Sequence, residues 1–223
     1  MLTLVIANKN YSSWSLRAWL TLRGVEIPFD EVRIPLSTPT TAAEIARYSP
    51  AGRVPVLIDP DAAPGGLAIW DTLAIAEYAA ERFPDRGLWP AAVADRARAR
   101  SLCAEMHSGF SALRSAWPMN IRNSLPGKGW SNAVQRDLDR IVGLWRDALE
   151  RSGGPLLFGA FTVADAFFAP VVSRLATYAA ALPADAATYR DRVLALAAMR
   201  EWTDAARAES EFVAEDEPYR LPT

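Results

Sequence analysis

Tyr11-Ser12-Ser13-Trp14-Ser15-Leu16-Arg17 stands between an apolar run and an amphipathic segment. Before it, Leu2, Leu4, Val5 and Ile6 read as a buried strand; after it, Leu16, Trp19, Leu20 and Arg23 open a helical period. The first turn of a helix carries unpaired N–H donors and a partial positive charge, so a hydroxyl there can stabilise an incoming anion. A thiolate is one such anion. Redox proteins of similar layout carry cysteines at this position. Here hydroxyls replace them, and the single cysteine, Cys103, is far away in sequence. Any thiol used at this site is therefore expected to arrive with a ligand.

Working outward, the first 83 residues alternate in character. Leu2 to Ala7 is strand-like, Ser15 to Arg23 helix-like, and Gly24 suits a helix C-terminus. Phe29 to Ile34 reads as a second strand, Thr41 to Tyr48 as a short helix and Val54 to Ile58 as a third strand. Leu67 to Trp70 and Thr72 to Arg82 follow as a strand and a helix, giving βαβ then ββα and a mixed sheet with helices against it. Residues 84–90, Pro84-Asp85-Arg86-Gly87-Leu88-Trp89-Pro90, break the pattern and read as a linker.

Residues 91–223 read as helical throughout. Leu102, Met106, Phe110, Leu113 and Trp117 form one stripe, and Val134, Leu138, Ile141, Val142, Trp145 and Leu149 another, as in a helix bundle. Thr162 to Leu175 is almost wholly apolar and is expected to be a central buried helix. Val193 to Met199 and Trp202 to Ala208 would close the bundle, with the charged tail from Glu209 wrapping its surface.

Composition narrows the function classes. Over 223 residues, 51% hydrophobic and 22% charged is ordinary for a globular protein with a substantial core. A net charge of −2 without a basic cluster gives no case for nucleic acid or an anionic membrane. One cysteine excludes an intrachain disulfide framework and suits a reducing compartment, so the expected location is cytoplasmic. The N-terminal apolar run stops at Ala7, too short for a signal peptide, and no stretch approaches a membrane span. Eight tryptophans suggest a helical core or an aromatic-lined pocket.

Three further motifs carry chemistry or shape. Pro55 lacks an N–H and belongs at a strand start or sheet edge; with a cis Val54–Pro55 bond, the Val54 backbone would face an extended peptide ligand. Asp71-Thr72 sits at the start of a helix, either as a simple cap or as a holder for an α-carboxylate and α-amine pair. Thr162-Val163-Ala164-Asp165 has capping-box spacing, with Asp165 expected to be buried and structural. The lone histidine, His107, and the absence of CxxC or HxxxH spacing leave a metal site without support, and Cys103 reads as a small buried hydrophobe. No GxSxG or phosphate-binding glycine loop is present.

Taken together, Ser12-Ser13-Trp14-Ser15-Leu16-Arg17, Ser49-Pro50-Ala51-Gly52-Arg53-Val54-Pro55-Val56-Leu57, Asp71-Thr72-Leu73-Ala74-Ile75-Ala76-Glu77-Tyr78 and Thr162-Val163-Ala164-Asp165 resemble the cytosolic glutathione transferases. The closest likeness is to their serine-type, zeta-like bacterial branch, and it spans nearly the whole chain in the family's motif order. The resemblance implies an α/β thioredoxin-like, glutathione-binding domain over 1–83, a linker over 84–90 and an all-α helical-bundle domain over 91–223. It also implies a homodimer. Val54–Pro55 should be cis, with Arg53, Val54 and Pro55 along the glutathione backbone and Asp71-Thr72 at its γ-glutamyl end.

By the same resemblance, a serine hydroxyl donates to the glutathione sulfur, and the thiolate attacks a small hydrophobic electrophile, a detoxification reaction. The zeta pattern points to Ser12, which ranks first; counting back from Arg17 as in theta- and delta-like members points to Ser13, which ranks second, and Tyr11 ranks third. By position, the second-substrate pocket should draw on the loop after Asn8 and on Met106, His107, Phe110, Arg114 and Arg122, with Trp117 and Asn120 nearby. Arg114 and Arg122 would suit an anionic substrate. A zeta-like, glutathione-dependent cis–trans isomerase of maleylacetoacetate type is the alternative within the enzyme class, although Trp14 stands where zeta members carry cysteine. A glutathione-dependent reductase is disfavoured by the missing cysteine. Outside the enzyme class stands a non-catalytic glutathione-binding or stress-related interaction protein.

Overall fold

In the computed structural model, which describes residues 1–220, the strand β1 (Leu2–Ile6) is covered on both faces. Leu2, Leu4 and Ile6 face the main core, while Val5 joins Ile34, Ile45 and Val56 in a smaller one. Burial on both sides explains why its apolar residues run on instead of alternating. The chain continues through α1 (Ser13–Arg23), β2 (Phe29–Arg33), α2 (Thr41–Ala46), β3 (Val56–Asp59), β4 (Leu67–Trp70) and α3 (Thr72–Arg82). The sheet order is β2-β1-β3-β4, with β1 parallel to β2 and antiparallel to β3, and β3 antiparallel to β4. The parallel step requires a crossover, which α1 provides.

After a 3₁₀ turn at Pro84–Arg86, the described residues hold helices and turns: α4 (Val93–Ser108), α5 (Ser111–Ala116), α6 (Asn132–Ser152), α7 (Val163–Thr177), α8 (Ala184–Ala195) and α9 (Ala197–Ala208). The small mixed sheet followed by a helical bundle is the architecture read from the sequence. The expected central helix is α7, nearly every residue of which is buried, packed against α1 and α4. Five of the eight tryptophans, Trp19, Trp89, Trp117, Trp145 and Trp202, lie in the core, so most of the aromatic content serves packing. No helix among the described residues is long and apolar enough to cross a membrane.

The structure corrects the sequence reading at several corners. The stripe from Leu102 to Trp117 is broken between α4 and α5, where Phe110 takes φ 57° and a Cβ on Gly109 would lie 2.7 Å from the Glu105 carbonyl oxygen. The Val193–Met199 segment is likewise divided, because Leu196 is extended between α8 and α9. Apolar spacing is blind to such corners when both helices face one core. Gly24 does end α1, but with an ordinary φ of −64°. Its necessity is steric, since a Cβ there would come 2.3 Å from the Phe161 ring. Nor does the acidic tail simply wrap the surface. Glu209 turns inward, and its carboxylate accepts the N–H groups of Lys9 (2.7 Å) and Asn10 (3.0 Å).

Asp165 is fully buried and gathers the start of α7. It accepts from the Thr162 N–H (2.9 Å) and hydroxyl (3.3 Å), the Leu157 N–H (3.2 Å) and the Tyr189 hydroxyl (3.0 Å). Burial pushes its carboxyl up to about 6, against those donors. A folded-state value above the unfolded one means the native state holds the extra proton between them. The stability this group contributes is thus full at low pH and declines as pH rises through about 6. Asp165→Ala strands several buried donors and should cost about 3 kcal/mol, roughly 6–12 °C in Tm. Thermal melts should show the gap between wild type and variant narrowing from pH 4 to pH 7, while ligand affinity of the folded variant is kept.

Candidate active site

The N-terminus of α1 is fastened to the end of β1 by one side chain. The buried Ser15 hydroxyl accepts the Ala7 N–H at 3.0 Å and also receives the Ser12 hydroxyl at 2.7 Å. Ser12 is the N-cap and accepts the Ser15 N–H at 3.3 Å, so the helix starts at Ser13, two residues before the periodicity suggested. The Ser12 hydroxyl therefore both donates and accepts within its own turn. The Ser13 hydroxyl has no hydrogen-bond partner among the described residues, and both serines line an open cavity of about 520 Å³.

The loop ahead of this turn is braced by the tail. Arg122 donates to the carbonyls of Glu209 and Glu211 and to the Tyr11 hydroxyl, which itself donates to Glu217 at 2.7 Å. The Asn10 side chain ties into the same corner, accepting the Arg122 N–H at 2.8 Å and donating to Asn120 at 3.0 Å. Tyr11, with burial and Glu217 raising its pKa, is occupied in this lattice. Arg122 is a brace and lines neither the serine cavity nor its neighbour.

That neighbouring cavity, about 580 Å³, brings together Arg53, Val54, Pro55, Asp71 and Thr72 with Trp14, Trp70 and His107. The Val54–Pro55 bond is cis. Ser49, buried beneath the loop, accepts the Arg53 N–H at 3.1 Å and fixes the approach to β3. Asp71 caps α3 through its carboxylate, which accepts the Leu73 N–H at 2.8 Å, and it does so at φ 74°. Thr72 follows as the first residue of α3, where the backbone N–H lacks an intrahelical acceptor. Its hydroxyl is buried without a partner among the described residues. An anionic carboxylate of Asp71 beside an unpaired hydroxyl and amide can receive an ammonium and a carboxylate together, the two groups of an α-amino acid.

Trp14 is the wall common to both cavities. The Arg17 guanidinium lies 4.4 Å from its ring centre, Arg114 lies 4.9 Å away, and the His107 ring meets it edge-on at 4.9 Å. Arg17 is buried with Nε and Nη1 unpartnered among the described residues, and burial, with Arg114 and Arg174 nearby, pushes it down to about 9. Arg174 is held by the carbonyls of Trp117 (2.6 Å) and Pro170 (3.1 Å), and burial lowers it to about 10. Arg114 and Arg174 line the serine cavity, and Arg17 lies buried against the Trp14 wall. Glu215 and Asp216 from the tail line the serine cavity along with Arg114 and Arg174, and burial raises Asp216 to about 6.

The expected second-substrate residues are thus dispersed. Arg114 lines the serine cavity, whereas His107 lies in the Asp71 cavity, and Met106 and Phe110 are packed in the core and line neither. Trp117 and Asn120 are buried as well. Cys103 is buried, and burial raises its thiol well above the ordinary range, in keeping with a hydrophobe. Sequence reasoning passed over Arg174, although a lone arginine inside an apolar helix is itself a signal. It also passed over Glu215 and Asp216, whose place depends on the path of the tail.

Comparison with known proteins gives a consistent kinship. The chain is 27% identical over 161 residues to a probable maleylacetoacetate isomerase of Caenorhabditis elegans, covering 72% of each protein. It is 36% identical over 67 residues to a dichloromethane dehalogenase of Methylorubrum extorquens, a match spanning 29% of this chain and 22% of the dehalogenase. Among solved structures, a glutathione transferase homologue from Burkholderia gl BGR1 with bound glutathione superposes with a TM-score of 0.69 at 23% identity, covering 93% of this chain and 99% of its own. A glutathione transferase from Methylococcus capsulatus superposes equally well, again 0.69 at 23% identity, covering 92% and 98%. Matching the glutathione S-transferase N-terminal domain over residues 11–82 and the C-terminal domain over 128–205, the chain belongs to the glutathione S-transferase family.

Proposed function

We propose that this protein is a glutathione transferase that ionises glutathione at the first turn of α1 and joins the sulfur to a small hydrophobic electrophile. The observation that carries the reading is the pair of cavities meeting at Trp14, one with the Asp71-Thr72 pair and the other with the helix-start serines. Glutathione would lie along Arg53, Val54 and Pro55, its γ-glutamyl ammonium on Asp71 and its carboxylate on Thr72. Residues 1–83 would form the glutathione-binding domain, 84–90 the linker and 91–223 the helical domain, in a cytoplasmic homodimer. The isomerase and dehalogenase relatives and the glutathione-bound neighbour support a glutathione-dependent reaction.

The energetics are sufficient without a general base. A free thiol ionises near ~8.5, and lowering that by about two units takes roughly 2.7 kcal/mol of preference for the thiolate. One charge-assisted hydrogen bond supplies about 1.5–3 kcal/mol and the helix N-terminus about 0.3–1 kcal/mol. The hydroxyl available to donate is that of Ser13, because the Ser12 proton goes to Ser15. The buried arginines add to the field that favours an anion here.

A second reading draws on the cations. Arg114 and Arg174 in the serine cavity would suit a dicarboxylate, and with the isomerase relative they favour a maleylacetoacetate-type isomerisation. A maleyl-type diacid, turned over faster than an aryl halide, would establish it. Binding of glutathione without turnover of either class would instead favour a non-catalytic glutathione-binding protein.

With a chlorodinitrobenzene-type electrophile, Ser13→Ala should lower kcat/KM about 10–100-fold, the loss of one charged hydrogen bond. Ser12→Ala should mainly cost a cap, about 1 kcal/mol or roughly 2–4 °C in Tm. A larger kinetic loss in Ser12→Ala would transfer the role to Ser12, and equal rates in all three proteins would reject a serine-activated thiolate. Thr72→Val should raise the KM for glutathione about fivefold with little change in kcat, since one ground-state hydrogen bond of about 1 kcal/mol is removed.

A further inference from the structure

His107 was expected at the second substrate, yet it lies in the other cavity, against the group read above as the holder of the γ-glutamyl ammonium. Asp71 is held in a conformation that L-residues seldom adopt, at φ 74° and ψ 134°. Its Oδ1 is engaged by Leu73 within its own turn. The contact on Oδ2 comes from a distant part of the chain, with His107 Nε2 on α4 at 3.2 Å. The histidine is placed firmly by its edge-on packing against Trp14.

The groups around the imidazole decide its charge. Burial lowers its pKa below the ordinary value; Asp71 on α3 opposes this, while Arg17 on α1 and Arg114 on α5 reinforce it. A neutral ring has one proton, and it belongs on the nitrogen beside the carboxylate. Nδ1 is buried with no partner among the described residues, so no acceptor competes for the proton there. A neutral donor aims Asp71 and leaves its full charge for an incoming ammonium. A lysine or arginine in the same place would neutralise that charge.

We propose that His107 is a positioning residue for glutathione, its Nε2–H orienting the Asp71 carboxylate from the helical domain toward the γ-glutamyl ammonium. The proposal rests on reading the Asp71 cavity as the glutathione site. It makes affinity for the tripeptide depend on α4 as well as on the sheet-bearing part of the chain. Apo contacts of this kind are often loosely aligned and tighten when the ligand arrives.

Calorimetric titration with S-hexylglutathione tests it, because the blocked thiol leaves only the peptide contacts. His107→Phe keeps an aromatic ring against Trp14 but removes the N–H, and should weaken binding about fivefold. His107→Gln, whose amide N–H can reach the same oxygen, should bind within about twofold of wild type. In turnover assays, His107→Phe should raise the KM for glutathione with kcat kept. If the Phe and Gln variants bind alike, the role of the N–H is overturned while the glutathione site stands. If wild type does not bind S-hexylglutathione at all, the reading of the cavity fails and this proposal fails with it.

Discussion

Ser15 joins the end of β1 to the first turn of α1, accepting the Ala7 N–H on one side and the Ser12 hydroxyl on the other. This small buried knot fixes where the unpaired N–H groups of the helix point. Around it the chain adds constraints from far away in sequence. Glu209 takes the N–H groups of Lys9 and Asn10, and the Trp202 indole donates to the Lys9 carbonyl at 3.0 Å. The loop before the serines is thus held by the last part of the described chain. A turn of polar residues becomes a braced platform because segments 200 residues apart in the chain close on it.

Electrostatics give that platform its character. Arg17 and Arg114 lie 4.4 and 4.9 Å from the Trp14 ring centre, Arg174 lines the serine cavity with it, and the buried Arg17 has nitrogens with no partner among the described residues. Buried cations are costly unless something anionic repays them. The tail acids Glu215 and Asp216 line the same cavity and offset part of the charge. On the proposed reading, a bound thiolate or substrate carboxylate would offset more of it.

Much of the fold was legible because it follows from local chemistry. The run at Leu2 to Ile6, the start of α3 at Asp71-Thr72 and the apolar helix that opens after Thr162 emerge where spacing and caps place them, whereas α1 begins at Ser13, two residues ahead of its apolar period. Arg53, Val54, Pro55, Asp71 and Thr72 share a cavity because they lie at the same end of the sheet, where β3 begins opposite the end of β4 and Val56 pairs with Trp70. His107 and Arg174 were harder to place. Each sits on a helix whose spacing says only which face is buried, and the angle at which that helix meets the sheet decides the neighbour. Met106 on α4 and Phe110 at the corner after it flank His107 in sequence yet turn into the core.

The sequence by itself determined the order of strands and helices, the hydroxyls at the start of α1 and the lack of a thiol beside them. It also determined the capping pair that opens α3, since these depend on residues within a turn of one another. It left open which serine hydroxyl is committed, because that turns on a 2.7 Å contact between Ser12 and Ser15 and the choice of one rotamer. The approach of Arg114 to Trp14, the bracing of the serine loop by Glu209 and Arg122, and the meeting of His107 with Asp71 were decided by tertiary structure alone. Each joins residues tens to hundreds of positions apart, and only the packing of α4, α7 and the tail against the sheet sets those distances.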